Sequence, residues 1–139
     1  MSLAMTRDER ENFLAGLHVG ILSISRDGRA PLTVPIWYDY EPGGELWLIT
    51  DRHSLKGKSL AAVTRISLCA QNEAPPYQYV TVEGPFYTTP TSHAELETMA
   101  VRYLGDTQGK AYAGEGPGAD SMTVRMTPEK WLSVDYNKR

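Results

Sequence analysis

The sequence predicts a mainly β protein: an antiparallel, closed or partly closed β-barrel of six or seven strands with two or three flanking helices. Its apolar segments are short, and turns rich in glycine, proline and aspartate separate them. These features favour antiparallel hairpins over a parallel, doubly wound sheet. The 139 residues fit one domain with one core, so we expect residues 1–139 to form a single domain in which residues 1–4 are disordered or not part of the fold.

The composition argues against several classes of function. A net charge of -3 gives no basic surface for nucleic acid, and no apolar run approaches the roughly 18 residues of a membrane-spanning helix. Cys69 is the only cysteine, which excludes an intrachain disulfide and fits a reducing cytoplasm. His18, His53 and His93 form no metal-binding motif, so no metal site is expected.

Local signals in the first half of the chain predict a helix followed by strands. Thr6 and Glu9 have capping-box spacing, which predicts a helix over residues 6–17. Asp27-Gly28 predicts a hairpin between strands 18–25 and 29–40. Pro31 and Pro35 remove backbone donors from the second strand, so it should lie at a sheet edge or contain a bulge. A further strand over residues 46–50 follows the turn at residues 42–44.

In the second half of the chain, the local signals again predict both helices and strands. The expected elements are a helix over residues 59–64, strands 66–70 and 78–88, a helix from the capping box Ser92/Glu95 to residue 104, and strands 121–126 and 130–136. Gly84-Pro85 should form a bulge. Residues 109–118 are rich in glycine and lack the spacing of a phosphate-binding loop, so they predict a mobile loop without a site.

The segment from Glu45 to Leu60 is the candidate functional motif. An apolar strand ends at Thr50, and three cationic residues then precede the helix expected at Ser59: Arg52, Lys56 and Lys58. A strand that leads into a helix start can supply backbone donors and positive charge to a phosphate. The alternative is an ordinary solvated surface. It is not a nucleotide-triphosphate loop, because Arg52 stands where that motif has its first glycine.

Other catalytic patterns are missing from the sequence. No G-x-G-x-x-G follows a strand and no G-x-S-x-G is present, which argues against a nicotinamide site and a hydrolase elbow. Cys69 is expected to be a small buried residue and not a nucleophile. Trp37, Trp47 and Trp131 are expected to make core or dimer contacts. No catalytic residue is assigned.

Four segments together resemble a known family. Pro31-Leu-Thr-Val-Pro-Ile-Trp-Tyr38, Leu46-Trp-Leu-Ile-Thr50, Ser54-Leu-Lys-Gly-Lys-Ser-Leu60 and Tyr79-Val-Thr-Val-Glu-Gly84 are similar to segments of the pyridoxamine 5'-phosphate oxidase-like split barrels, which bind flavin or deazaflavin. The resemblance implies a six-stranded split barrel and a homodimer with two cofactors at the subunit interface. It also implies the cofactor-binding residues: Lys56 and Lys58 for the phosphate with Thr50, Ser59 and Arg52 nearby, Thr33, Val34, Pro35 and Ile36 along the ring, and Gln78 and Tyr79 from the other subunit.

The family resemblance implies an oxidoreductase that transfers hydride between FMN and a small organic substrate, with the deazaflavin coenzyme F420 as the alternative cofactor. A non-catalytic dimeric module that binds FMN or haem is the alternative function. Two positions depart from the family pattern: Lys58 replaces an arginine common in relatives, and Ser54 replaces a further cation. The long C-terminal substrate-binding segment of the vitamin-pathway oxidases is also missing, which argues against pyridoxal phosphate synthesis.

Overall fold

The computed structural model describes residues 1–139 and confirms a mainly β, antiparallel fold. Its elements are α1 Arg7–Ala15, β1 Gly20–Arg26, β2 Arg29–Ile36, β3 Tyr38–Tyr40, β4 Leu46–Asp51, α2 Leu55–Leu60, β5 Arg65–Gln71, β6 Gln78–Pro90, α3 His93–Leu104, α4 Asp106–Ala113, β7 Ser121–Met126, β8 Lys130–Asp135 and a final 3-10 turn, Tyr136–Lys138. No helix is both long and apolar enough to cross a membrane.

The strands form one curled sheet in the order β2-β1-β5-β6-β7-β4-β3, and β8 joins it by pairing with β6. The strands β2 and β3 lie at opposite ends of this order, yet only Trp37 separates them in the sequence. Because one residue spans a few ångströms at most, the two ends of the sheet must meet. The sheet therefore curls into a barrel, and the strand predicted over residues 29–40 is divided at Trp37.

The strand β6 is shared between the two halves of the barrel. Its residues Gln78 to Glu83 pair with β8, and its residues Phe86 to Pro90 pair with β7. The partner changes at Gly84, over which the turn between β7 and β8 passes. Gly84 and Pro85 remain in register with β5, so the predicted bulge is wrong and an exchange of partner strands occupies this place.

The barrel interior is a cluster of 18 buried side chains from the inward faces of the strands, from α1 and α2, and from Met5, which precedes α1. Leu14 of α1 is fully buried, and its carbonyl accepts a hydrogen bond of 2.6 Å from the Tyr38 hydroxyl. Burial raises the pKa of this phenol, and Tyr103 adds to the shift. The carbonyl of Leu3 accepts a bond of 2.8 Å from the Asp135 N–H, so the segment before α1 is tied to β8.

Arg102 of α3 connects three parts of the chain. Its Nε donates to the carbonyl of Tyr38 at 2.9 Å, and Nη2 donates to the carbonyl of Gly16 at 2.7 Å. Its Nη1 lies 3.4 Å from the Asp39 carboxylate, and only 18% of the side chain is exposed. The guanidinium therefore attaches α3 to the end of α1 and to β3.

The helix α2 begins earlier than predicted. Its first residue is Leu55, not Ser59, because the Ser54 side chain caps it and accepts a bond of 3.1 Å from the Gly57 N–H. Gly57, a weak helix former, is required here because a Cβ would lie 2.3 Å from the carbonyl oxygen of Asp51. The cationic segment is therefore helical.

The predicted loop over residues 109–118 is also partly helical, since it contains most of α4. Gly109 faces α3 so closely that a Cβ would lie 2.5 Å from the backbone of Val101. The glycine that lowers the helix propensity of this segment is thus the residue that lets α4 pack on α3. Tyr112 on α4 comes into contact with the barrel in consequence.

Candidate functional site

A gap separates β2 from the second half of β4. The β3/β4 ladder ends at the pair Tyr38 and Leu48, and no pairing continues between β2 and Ile49. Ile36, Trp37 and Ile49 instead line one cavity, which has a volume of about 230 Å³. As predicted from its prolines, β2 is an edge strand. Backbone groups on this edge are therefore available to a ligand.

The predicted ring-binding residues alternate along this strand. Thr33 and Pro35 are exposed, whereas Val34 and Ile36 are half-buried. Thr33 and Pro35 lie on the outer face of the sheet, opposite Ser23 and Ile21 of β1. A planar group placed along β2 can therefore contact backbone and small side chains without displacing any other part of the chain.

Two hydroxyl groups mark the start of α2. The Thr50 hydroxyl is 3.2 Å from that of Ser54, and the Ser54 hydroxyl donates to the carbonyl of Asp51 at 2.7 Å. Thr50 is buried, while Ser54 is half-buried. The pair lies where β4 turns into the helix, next to the first helical turn that contains Lys56.

The two lysines of this helix point in different directions. Residues two positions apart in an α-helix are rotated by about 200° about its axis, so Lys56 and Lys58 are on opposite sides. Lys56 is half-buried and Lys58 is exposed, and neither forms an ion pair within the chain. The two side chains therefore leave the helix on opposite sides, and Lys56 is the less exposed of the two.

Arg52 and Ser59 lie in two other surroundings. Arg52 lines a groove of about 690 Å³ between α2 and β6, with its Nε 3.9 Å from the Asp120 carboxylate. His53 is 3.5 Å from the same carboxylate. Ser59 lines a separate groove of about 570 Å³ beside the β1–β2 turn. Thr50, Ser54 and Lys56 therefore lie together at the start of α2. Arg52 and Ser59 line separate grooves on either side of the helix.

Gln78 and Tyr79 lie far from β2 in the same chain. Both belong to β6, three strand intervals away, which corresponds to about 14 Å. The Gln78 side chain accepts a bond of 3.0 Å from Asn72, whereas Tyr79 lies on the outer face. Within one copy of the chain, these residues are therefore separated from β2 by the width of β1 and β5.

The outer face of the sheet carries a continuous row of apolar and small residues. Strand register aligns the row across five strands in the order Pro35, Ile21, Cys69, Thr81, Leu132. Leu132 is 58% exposed. Cys69, expected to be buried, is half-buried and faces outward. We name this row the outer row.

Sequence reasoning missed the aromatic group next to the gap. Trp37 stacks on Tyr103 with ring centroids 4.9 Å apart, and Tyr112 approaches Trp37 at 5.7 Å. The cavity beside them is completed by Leu96, Met99 and Ala100 of α3. The apolar spacing of α3 was visible in the sequence, but α4 was not, so Tyr112 could not be connected to this site.

Solved structures share this fold at low sequence identity. A conserved hypothetical protein from Mycobacterium tuberculosis is 21% identical, with a TM-score of 0.76 over 98% of this chain and 88% of that chain. A FAD-binding protein from Mesorhizobium loti is 21% identical, with a TM-score of 0.69 over 94% of each chain. An F420 reductase is 19% identical, with a TM-score of 0.64 over 88% of this chain and 94% of that chain.

A candidate pyridoxamine 5'-phosphate oxidase from Listeria innocua also shares the fold, at 12% identity and a TM-score of 0.69 over 91% of this chain and 96% of that chain. No protein-family model and no curated protein sequence matches the chain. The likeness therefore lies in the arrangement of the strands and not in close sequence similarity. The chain has the split-barrel fold of the pyridoxamine 5'-phosphate oxidase-like proteins.

Proposed function

We propose that the chain binds a flavin-type cofactor, FMN in the first instance, and acts as an oxidoreductase on a small organic substrate. The observation that carries the proposal is the gap between β2 and the second half of β4, because β4 leads directly into α2 with its two hydroxyls and the unpaired Lys56. The FAD-binding protein and the F420 reductase with the same fold support a flavin or deazaflavin. Coenzyme F420 is the alternative cofactor.

The donor set fits a planar group that carries a phosphate. Lys56 would supply a point charge to the phosphate, and the Thr50 and Ser54 hydroxyls would reach it only by exchanging the bonds that they make to each other and to the Asp51 carbonyl. The edge of β2 from Thr33 to Ile36 would lie along the ring. When bound, such a cofactor supplies the hydride chemistry. The residues of the chain would hold and orient it and exclude water, and no side chain is assigned as acid or base.

We also propose that the active form is a homodimer that meets through the outer row. The exposed, apolar Leu132 suits a subunit interface better than contact with water. Tyr79 is on the same outer face, so the partner's Tyr79 would be able to reach a cofactor that lies along β2. Gln78 would act with it if its bond to Asn72 were exchanged for one to the cofactor.

A comparison of two lysine variants tests the phosphate site. Lys56→Ala is expected to weaken FMN binding roughly 10- to 100-fold, the value of one charge-assisted hydrogen bond. Lys58→Ala, the matched control on the opposite side of α2, should change it less than about threefold. Fluorescence titration with FMN and with F420 measures both affinities.

Equal losses of FMN affinity in the two lysine variants would contradict the assignment of Lys56. If the wild-type chain binds neither FMN, FAD nor F420, the cofactor proposal is rejected. Thermal unfolding of each variant without cofactor provides the folding control. Stabilisation by only one of the three cofactors identifies the physiological class, since a ligand at 100 times its Kd adds about 2.7 kcal/mol.

The dimer is tested by placing a charge in the outer row. Leu132→Glu is expected to raise the dimer dissociation constant at least roughly tenfold, because an unpaired carboxylate would be buried in the interface. Leu17→Glu is the control, since Leu17 is equally exposed but precedes β1, outside the sheet. Analytical ultracentrifugation measures the dissociation constant. A Leu132→Glu dimer as tight as the wild type would remove the outer row from the interface.

A non-catalytic cofactor-binding module is the second candidate function. All seven residues that line the cavity next to the gap are apolar or aromatic, and the Tyr112 hydroxyl is the one group among them that could transfer a proton. Steady oxidation of the reduced cofactor by an added electron acceptor, at a rate above that of free cofactor, would reject this candidate. A stable, unreactive complex would favour it.

A further inference from the structure

We propose that the cavity beside the gap is the substrate pocket and that it takes an uncharged, planar ring compound without a phosphate or carboxylate group. This inference rests on the proposed function, whose substrate it defines. The cavity has a volume of about 230 Å³ and lies between the strands β2 and β4 and the helices α3 and α4. We call it the α3–α4 cavity.

The lining of the α3–α4 cavity excludes anions. It consists of Ile36, Trp37, Ile49, Leu96, Met99, Ala100 and Tyr112, none of which carries a charge. Moving a phosphate or carboxylate from water into such a lining without a partner costs several kcal/mol or more. Arg102, the cation on α3, is bonded to backbone carbonyls and to Asp39, so it has no free face for a substrate anion.

The shape of the lining favours a flat ring. Trp37 is held in place by its parallel stacking on Tyr103, with 5° between the planes. Tyr112 is tilted by 51° to Trp37 and is 61% exposed, so it forms the mouth of the cavity. Aromatic rings prefer offset or tilted contacts of this kind. A dry engineered cavity of about 150 Å³ holds benzene, so this cavity suits one ring or two fused rings.

The position of the cavity connects it to the proposed cofactor. Ile36 lies at the end of the strand along which the cofactor ring would extend, and it is also part of the cavity wall. Ile49 of β4 faces it across the gap. A ring compound in the cavity would therefore be adjacent to the cofactor ring, where a substrate must be for direct hydride transfer.

A matched pair of probes tests the proposed class. We expect 2-naphthol to bind to the cofactor-free protein at least tenfold more tightly than 2-naphthyl phosphate, as measured by isothermal titration calorimetry. Equal or tighter binding of the phosphate ester, or no binding of 2-naphthol, would overturn the inference. Both titrations are repeated with saturating FMN, which should leave the preference for the neutral probe unchanged.

Two variants locate the binding. Tyr112→Ala should weaken 2-naphthol binding about 3- to 10-fold, the contribution of one aromatic contact. Tyr77→Ala should leave 2-naphthol binding unchanged, because Tyr77 is a tyrosine of comparable exposure that lies outside the cavity. Ile49→Phe should fill the cavity and reduce binding at least tenfold, with a thermal unfolding scan to confirm the fold. Wild-type affinity in both cavity variants would place the probe elsewhere and overturn the inference.

The outcomes separate the substrate pocket from the cofactor site. If 2-naphthol binds and no flavin or deazaflavin does, the proposed function fails and the preference of the cavity for neutral rings stands. If a cofactor binds and 2-naphthol does not, only the inferred substrate class fails. Lys56→Ala provides the internal check, because it should lose FMN affinity while retaining 2-naphthol affinity.

Discussion

Replacement of Arg102 by alanine is expected to lower the free energy of unfolding by about 3–5 kcal/mol, the cost of removing one member of a largely buried charged network. The carbonyl of Gly16 would lose its guanidinium donor, that of Tyr38 would keep only the Tyr103 hydroxyl, and the Asp39 carboxylate would lose its countercharge. Gly16 and Asp39 are only half-exposed, so water replaces the lost guanidinium bonds incompletely and their loss is costly. Urea denaturation followed by circular dichroism measures the change.

Arg29→Ala is the matched control, since Arg29 is exposed and forms no ion pair, and it should change stability by less than about 0.5 kcal/mol. Arg102→Lys should recover only part of the loss, because a lysine cannot donate in three directions from a planar fork. A decrease below about 1 kcal/mol for Arg102→Ala would show that the three attachments contribute little to stability.

Gly84→Ala is expected to be at least as damaging, with a loss of about 3 kcal/mol or more. A Cβ on residue 84 would lie within 1.8 Å of the carbonyl oxygen of Thr127, so the turn between β7 and β8 would have to move away. That movement would break two bonds of 2.9 Å, from the Thr127 N–H to the carbonyl of Pro85 and from the Glu129 N–H to the carbonyl of Glu83.

Gly118→Ala provides the control for Gly84→Ala, because a Cβ there meets no atom within 4 Å and the backbone needs no positive φ. We expect it to change stability by less than about 0.5 kcal/mol. If Gly84→Ala unfolds at the wild-type urea concentration, the close approach of the turn is not required. If the Gly84→Ala protein is insoluble, a normal yield of soluble Gly118→Ala protein shows that the substitution at residue 84 is the cause.

The parts of the fold that were predicted correctly depend on short-range signals. The capping boxes at Thr6/Glu9 and Ser92/Glu95 are both formed, and Asp27-Gly28 connects β1 and β2 as a hairpin. Pro31 and Pro35 do lie in an edge strand. Each of these features is determined by a few neighbouring residues, so the sequence is sufficient to predict it.

The errors arose where distant parts of the chain decide the local structure. Gly57 and Gly109 lower the helix propensity of their segments, which hid the start of α2 and the whole of α4 in the sequence. Each position requires glycine because another backbone segment approaches too closely for a side chain. The candidate site combines β2, β4, α3 and α4, which no local pattern connects. The opposite directions of Lys56 and Lys58 followed only once α2 was known to begin at Leu55.

The strand order has a consequence for synthesis on the ribosome. Asp51 at the end of β4 pairs with Ser121 of β7, whereas the other neighbour of β4 is the three-residue strand β3. At about 5–20 residues per second, β4 is exposed for several seconds before β7 is made. During that time the backbone N–H and C=O groups along one edge of this apolar strand have no partner, and such an exposed edge promotes aggregation. Nascent chains stalled before β7 should therefore depend on chaperones, while chains that contain β7 can close the barrel themselves.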